Sequence, residues 1–275
     1  MIRDVTCPEQ QKRFEIAIDS VVGTTQRVRS GIGMQKEKSL HAILKNYIDP
    51  DPLHQEVCVG QYIADIYDKE KGKITEIQTT NFGALRQKLS AFLCEYQVTI
   101  LYPIPRKKLV TWIDPNTGGI LSSHFSPVRG SFYDVFRELY RINSFLHHPN
   151  LIVEPLLIDM TEFRLQDGFS RNGKKGSHRF DRIPKSLEGD LVLREPEDYA
   201  VFLPKDDHRL PEPFTAKDFE NVVGKNRKVS SSTILRILAQ LGVVERLGTT
   251  KNRAYQYRIL MRNSSGVDFC KVQHN

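Results

Sequence analysis

The chain has 275 residues, 39% hydrophobic and 27% charged, the composition of a soluble globular protein with room for about two domains. Its 40 Lys and Arg against 33 Asp and Glu give a net charge of +7 and a pI near 9.2, an excess that favours a polyanionic partner. No apolar run reaches bilayer length, the start runs straight into polar Pro8-Glu9-Gln10-Gln11-Lys12-Arg13, and Cys7, Cys58, Cys94 and Cys270 lack any Cys-x-x-Cys spacing; no spanning helix, signal peptide, disulfide framework or zinc knuckle is therefore expected, and the cytoplasm is the expected location.

A first helix is expected from Pro8 to about Val22, opened by a Thr6–Glu9 capping box and carrying Phe14, Ile18 and Val22 on one stripe. Gly31 and Gly33 read as a linker, since no strand precedes them and no Gly-Lys-Ser/Thr follows. From Met34 to Ile48 helical spacing returns, with Leu40, Ile43, Leu44 and Tyr47 inward and Glu37, His41 and Lys45 as a polar stripe, until Asp49-Pro50-Asp51-Pro52 stops it. Three strands follow: Glu56 to Val59, Gln61 to Tyr67 and Lys73 to Gln78, the last two forming a hairpin that reverses through Asp68 to Lys73 with Gly72 at the turn. A helix from Asn81 to about Leu93 turns Phe82, Leu85, Leu89 and Phe92 to one side, and Val98 to Tyr102 and Leu109 to Ile113 are apolar strands. An antiparallel group next to a strand reached through a crossover helix makes the fold class α/β, a mixed sheet with helices against it.

Beyond Gly119, Phe132 to Leu146 is expected as an aromatic-rich helix and Leu151 to Phe163 to include a strand. Gln166 to Ser177 is a loop whose Arg171, Lys174 and Lys175 either touch phosphates or are simply solvated. After Pro211-Glu212-Pro213 the pattern is a Thr215-capped helix from Ala216 to Val223, a helix from Ser230 or Ser231 to Leu241 closed by Gly242, and two strands around a turn at Gly248 to Arg253. Helix, turn, helix and hairpin are the layout of a winged helix. Between Pro211 and Arg262, ten Lys or Arg face four acids, which suits nucleic acid; a dimerisation or packing domain is the alternative.

The chemistry-bearing residues sit on the hairpin. Asp65 lies across from Glu76 and Gln78, and both acids are embedded in apolar strands, where a carboxylate costs several kcal/mol unless it is paired or metal-bound. Converging carboxylates offer hard oxygen ligands suited to Mg²⁺ or Mn²⁺; internal ion pairing is the alternative.

The opening-helix Glu37, Asp65 on the second strand and Glu76-Ile77-Gln78 on the third, followed by a helix and an apolar strand, resemble the PD-(D/E)XK, or restriction-endonuclease-like, nuclease superfamily over about Met34 to Ile113. The likeness extends to bacterial proteins that join such a domain to a C-terminal winged helix. The resemblance implies metal ligation by Asp65 and Glu76, support from Glu37, and water positioning by Gln78 where the family usually has Lys. Lys88 on the next helix is a candidate to supply the missing ammonium, and His41 either meets the phosphate or metal-bound water or only hydrogen-bonds Glu37. Ser231, Ser232, Thr233 and Arg236 are placed to meet a DNA groove, and Lys251 and Arg253 to meet phosphates.

The expected organisation is an N-terminal helix and linker (1–33), a nuclease-like core (34–125), a connecting region (126–207), a winged helix (208–264) and a tail (265–275). The expected function is Mg²⁺-dependent cleavage of DNA, with a homodimer favoured if both strands of a duplex are cut. The alternative is a non-catalytic DNA-binding or regulatory protein that keeps a degenerate nuclease-like scaffold, for which Gln78 speaks.

Overall fold

The computed structural model describes residues 2–3, 7–28, 39–166, 178–205, 209–226 and 228–262. In chain order these form β1 (Ile2–Arg3), α1 (Pro8–Val28), α2 (Ser39–Ile48), β2 (Gln55–Val59), β3 (Tyr62–Asp68), β4 (Lys73–Ile77), α3 (Arg86–Phe92), β5 (Gln97–Ile113) and β6 (Ile120–Phe125). There follow a one-turn α4 (Phe136–Leu139), β7 (Leu151–Leu165), β8 (His178–Leu191), β9 (Phe214–Thr215), α5 (Ala216–Val223), α6 (Ser231–Gln240), β10 (Val244–Thr249) and β11 (Tyr255–Ile259).

The protein is α/β, with a mixed sheet flanked by helices. Strand order is β1-β8-β7-β5-β4-β3-β2, with β6 paired to the far end of β5. Strands β2, β3 and β4 form an antiparallel meander; α3 then carries the chain over to β5, which lies parallel to β4 from Lys73↔Gln97 to Ile77↔Leu101. The parallel β7 and antiparallel β8 extend the sheet across the boundary expected at residue 125. On one face α1 and α2 bring Phe14, Leu40, Ile43 and Leu44 onto Ile77, Leu101, Leu156 and Ile158. Burial of each such side chain is worth roughly 1.5–3 kcal/mol. On the other face Phe82, Leu89, Phe136 and Phe202 share a core with Ile74, Val98, Ile100 and Val153.

Four expectations need correction. The helix expected from Asn81 to about Leu93 opens as a 3-10 turn over Phe82–Leu85 and is α-helical only from Arg86 to Phe92. The runs Val98 to Tyr102 and Leu109 to Ile113 are one strand, bulged between Pro105 and Lys108 but paired with β7 on both sides of the bulge. Phe132 to Leu146 is not a continuous helix: 3-10 turns flank α4, and Ile142 leaves helical geometry at φ −121°. The first helix runs on to Val28, past the expected end at Val22.

The C-terminal segment folds around a three-stranded sheet, β10-β11-β9. The Thr215 hydroxyl accepts from Asp218 N while the Asp218 carboxylate accepts from Thr215 N, closing a capping box on α5. Ser230 caps α6, and Gly242, at φ 74°, turns the chain out of it. Buried Asp134 accepts from Asn226 Nδ2 at 2.8 Å and from Lys228 Nζ, and Gln240 Nε2 donates to Asn143 O at 2.7 Å, so the segment is tied to residues 131–146. Among the described residues no helix is long and apolar enough to cross a membrane.

Candidate functional site

The hairpin that carries the acids pairs from Asp68↔Lys73 to Ile66↔Thr75, and there the described ladder between β3 and β4 stops. Gly72, at φ 61°, makes the reversal. Asp65 and Glu76 are the next residues along each strand, so they sit where the strands part. Backbone groups freed by that parting are taken by side chains. Ile77 N donates to Asp65 Oδ2 at 2.7 Å, and Lys88 Nζ, reaching down from α3, donates to Ile63 O at 2.6 Å.

Each acid has its own helix-borne partner. His41 Nε2, in the first turn of α2, lies 3.2 Å from Asp65 Oδ2. Lys88 Nζ lies 2.7 Å from Glu76 Oε2. The Glu76 side chain is only 3% exposed, against 20% for Asp65, and its second oxygen, Oε1, is buried without a hydrogen-bond partner among the described residues. This asymmetry drives their acidities apart. Burial, reinforced by the negative charge of Asp65, pushes Glu76 up to about 7 in spite of Lys88 and a weak contact from the Asp65 backbone N–H. Burial would raise Asp65 too, but the His41 hydrogen bond and charge, the Ile77 N–H and the charge of Lys88 outweigh it and hold Asp65 below its ordinary value. Neighbouring carboxylates separated in this way are suited to different roles, one kept as an anion and one able to exchange a proton near neutral pH.

Among the described residues no group of three or more His, Cys, Asp or Glu forms a ready metal cage. What the site offers a divalent ion is the carboxylates of Asp65 and Glu76, the latter with Oε1 lacking a donor among the described residues, a hard oxygen set of the kind that suits Mg²⁺ or Mn²⁺.

The other expected site residues fall in different places. Glu37 lies outside the described residues. The Gln78 amide turns back on its own loop, donating to Thr80 O at 2.5 Å and Asn81 O at 3.3 Å, and makes no hydrogen bond to either acid. On α6, Ser231 is buried, Ser232 is exposed, and the Thr233 hydroxyl is 2.9 Å from that of Ser230. Arg236 stacks over Tyr140 at 5.2 Å and donates to its hydroxyl at 3.3 Å, so this guanidinium is partly engaged within the chain. Lys251 and Arg253 are exposed on the β10–β11 turn. The loop cations Arg171, Lys174 and Lys175 lie outside the described residues. Two participants had no side-chain signal in the sequence, the Ile77 N–H and the Ile63 carbonyl, because backbone groups leave none.

Fold and site together define an α/β protein with a carboxylate pair at a parting of strands. The chain belongs to the family described as Domain of unknown function (DUF8091), which matches residues 38–194 and so takes in α2, the whole acid site and the sheet through β8. It is similar to an uncharacterized protein of Treponema pallidum (strain Nichols), 29% identical over 183 residues that make up 66% of this chain and 71% of the relative. No solved structure matches.

Proposed function

We propose that this protein is a Mg²⁺- or Mn²⁺-dependent nuclease that hydrolyses phosphodiester bonds of DNA, with a restriction-endonuclease-like core and a C-terminal winged helix that holds the substrate. The order α2, β2-β3-β4, α3, β5 supports the first half of that reading. The capped α5 and α6 followed by the β10–β11 hairpin support the second. One observation carries the chemistry: Glu76 is buried beside Asp65 with Oε1 unpartnered and Oε2 held by Lys88. A carboxylate kept only for an ion pair is expected to have both oxygens satisfied, because a bare buried oxygen costs about 1–3 kcal/mol.

Asp65 and Glu76 would hold a divalent ion, which would supply positive charge against the phosphate and acidify water. The chain's own groups do the rest. His41 and the Ile77 N–H orient Asp65 and keep it ionised. Glu76, raised to about 7, must give up its proton before it can hold the ion, so the ion is held more tightly as pH rises through that value. Lys88, anchored by Glu76 and the Ile63 carbonyl, brings an ammonium to the acids from α3 and so serves the role that the uncharged Gln78 leaves open. Lys251 and Arg253 meet the DNA backbone, while Ser232 and Arg236 are the accessible groups of α6.

The commitment of the Gln78 amide to its loop favours a second reading, a DNA-binding or regulatory protein on a scaffold that no longer cuts. Incubating circular, linear and single-stranded DNA with Mg²⁺ or Mn²⁺ separates the two. Cleavage by the wild type that is lost in Asp65→Ala, with DNA binding kept, supports the nuclease; binding without cleavage in both proteins removes it.

A further inference from the structure

The far halves of β5, β7 and β8 carry a second charged cluster, distinct from the acid site. At its centre is Glu162 on β7, a residue only 2% exposed. Lys108 Nζ lies 3.2 Å from its Oε2, Arg164 Nη2 2.6 Å from Oε1, and Arg179 Nε 3.5 Å from Oε2. Burial alone would push Glu162 up, but Arg164, Lys108 and Arg179 together hold it below its ordinary value. Arg182 stands directly across the ladder from Glu162. Its Nε is buried without a hydrogen-bond partner among the described residues. Burial and repulsion from Arg179 push Arg182 down, and the charges of Glu162 and Asp181 only partly offset them.

The charge count does not close. Four cations surround Glu162, and Asp181, whose carboxylate accepts from the Ser39 N–H and hydroxyl at the start of α2 and from the Arg182 backbone N–H, adds a second negative charge, so cations still outnumber acids by two. Arg106 nearby is different, since Asp159 and Glu188 both bind it. Neutralising one buried carboxylate calls for one or two cations, and the surplus here shares one sheet face. On the same side of the ladder Trp112 lies opposite Arg164, with the guanidinium 6.0 Å from the ring centroid. Half-exposed Arg179 and partly exposed Lys108 and Arg164 put the excess charge within reach of solvent. The first turn of α2 joins this face to the acid site: Ser39 binds Asp181 and His41 binds Asp65.

We infer that the Lys108, Arg164, Arg179 and Arg182 face binds the phosphodiester backbone of a nucleic acid, laying it across β5, β7 and β8 toward the first turn of α2. The inference rests on the nucleic-acid half of the proposed function and not on cleavage. Glu162 acts as the buried brace that fixes its neighbouring cations, and the solvent-facing parts of Arg179, Arg164 and Lys108 are the groups that phosphate oxygens meet, with Arg182 adding its charge from beneath. Charge-based tracking of this kind carries little sequence information, so the face adds affinity and position while the C-terminal segment supplies any readout.

The test is equilibrium binding of fluorescein-labelled duplex and single-stranded DNA to the full chain in EDTA, where no cleavage occurs. Arg179→Gln/Arg182→Gln leaves Lys108 and Arg164 on Glu162, and is expected to weaken binding by about tenfold and to reduce the slope of log K against log salt by about 1 to 2. Because EDTA removes cleavage from the readout, a failure of catalysis and a failure of this face are read separately. A second measurement needs no variant: phenylglyoxal labelling of wild-type Arg179, read by mass spectrometry, is expected to fall when DNA is bound. Unchanged affinity and slope in a folded double variant, or labelling of Arg179 that DNA does not protect, overturns the inference. Protection by 1 mM inorganic pyrophosphate equal to that by DNA overturns it too, in favour of a small phosphorylated ligand.

Discussion

Replacing Glu76 by Gln is the perturbation with the most definite expected result. The side chain keeps its shape and its bond from Lys88 but loses the charge that burial penalises. In the folded protein Glu76 is raised from 4.5 to about 7, and at about 1.4 kcal/mol per unit that amounts to about 3 kcal/mol. Because the folded value lies above the unfolded one, the native state holds the extra proton between those limits, and the wild type loses stability as pH rises from 4.5 to about 7. Gln has no proton to lose. Urea unfolding of both proteins from pH 4 to 8, followed by circular dichroism and by the fluorescence of Trp112, is therefore expected to show the variant gaining on the wild type by about 3 kcal/mol across the range. Most of the gain falls between 4.5 and 7. A difference that stays flat with pH, or a wild type that gains on the variant as pH rises, refutes the reasoning and makes Glu76 an ordinary salt-bridged acid. Asp65 supplies a control of opposite sign: its folded value is depressed, so its contribution is present above the unfolded value and is lost as pH falls through the acid range.

Gly130→Ala is expected to destabilise the fold by about 1–3 kcal/mol in urea titrations, because overpacking is costly and the new Cβ would lie 2.3 Å from the Pro105 carbonyl oxygen and 2.7 Å from Ile104 Cγ2. Asp134→Ala removes the acceptor of Asn226 and Lys228, and limited proteolysis is expected to cut the chain between the connecting region and α6 sooner than in wild type. Lys251→Ala/Arg253→Ala is expected to weaken DNA binding and lower its salt slope by about 2 while leaving the unfolding midpoint unchanged, as suits exposed turn residues.

What could be read from the sequence follows from where the signal is local. The hairpin around Gly72, the capped α5 and α6 and the apolar stripes of α2 and α3 all rest on neighbours within a few residues, and these elements form. Strand β5 was harder because Pro103, Pro105 and three successive cations interrupt its apolar pattern. They are tolerated because β4 pairs only as far as Leu101 and β6 only from Leu109, leaving the stretch between without a strand on that side. Strand β8 gave no signal: it is polar, contains Pro184 and Gly189, and changes register against β7 three times, so its pairing comes from tertiary structure. In the site, alternation pointed to Asp65 and Glu76, and Lys88 was placed among the candidates. The direction of the Gln78 amide depends on loop carbonyls that no motif encodes. The cations around Glu162 were invisible because they come from β5, β7 and β8, up to 74 residues apart in the chain, between Lys108 and Arg182.

The claim at the centre of this account is that Asp65 and Glu76 together hold a divalent ion. Titrating Mn²⁺ into wild type, Asp65→Asn and Glu76→Gln at pH 8, with free Mn²⁺ followed by electron paramagnetic resonance, tests it most directly. The account predicts one class of saturable site in the wild type, weakened at least tenfold in each variant. Equal binding by all three proteins, or no binding by any, contradicts it.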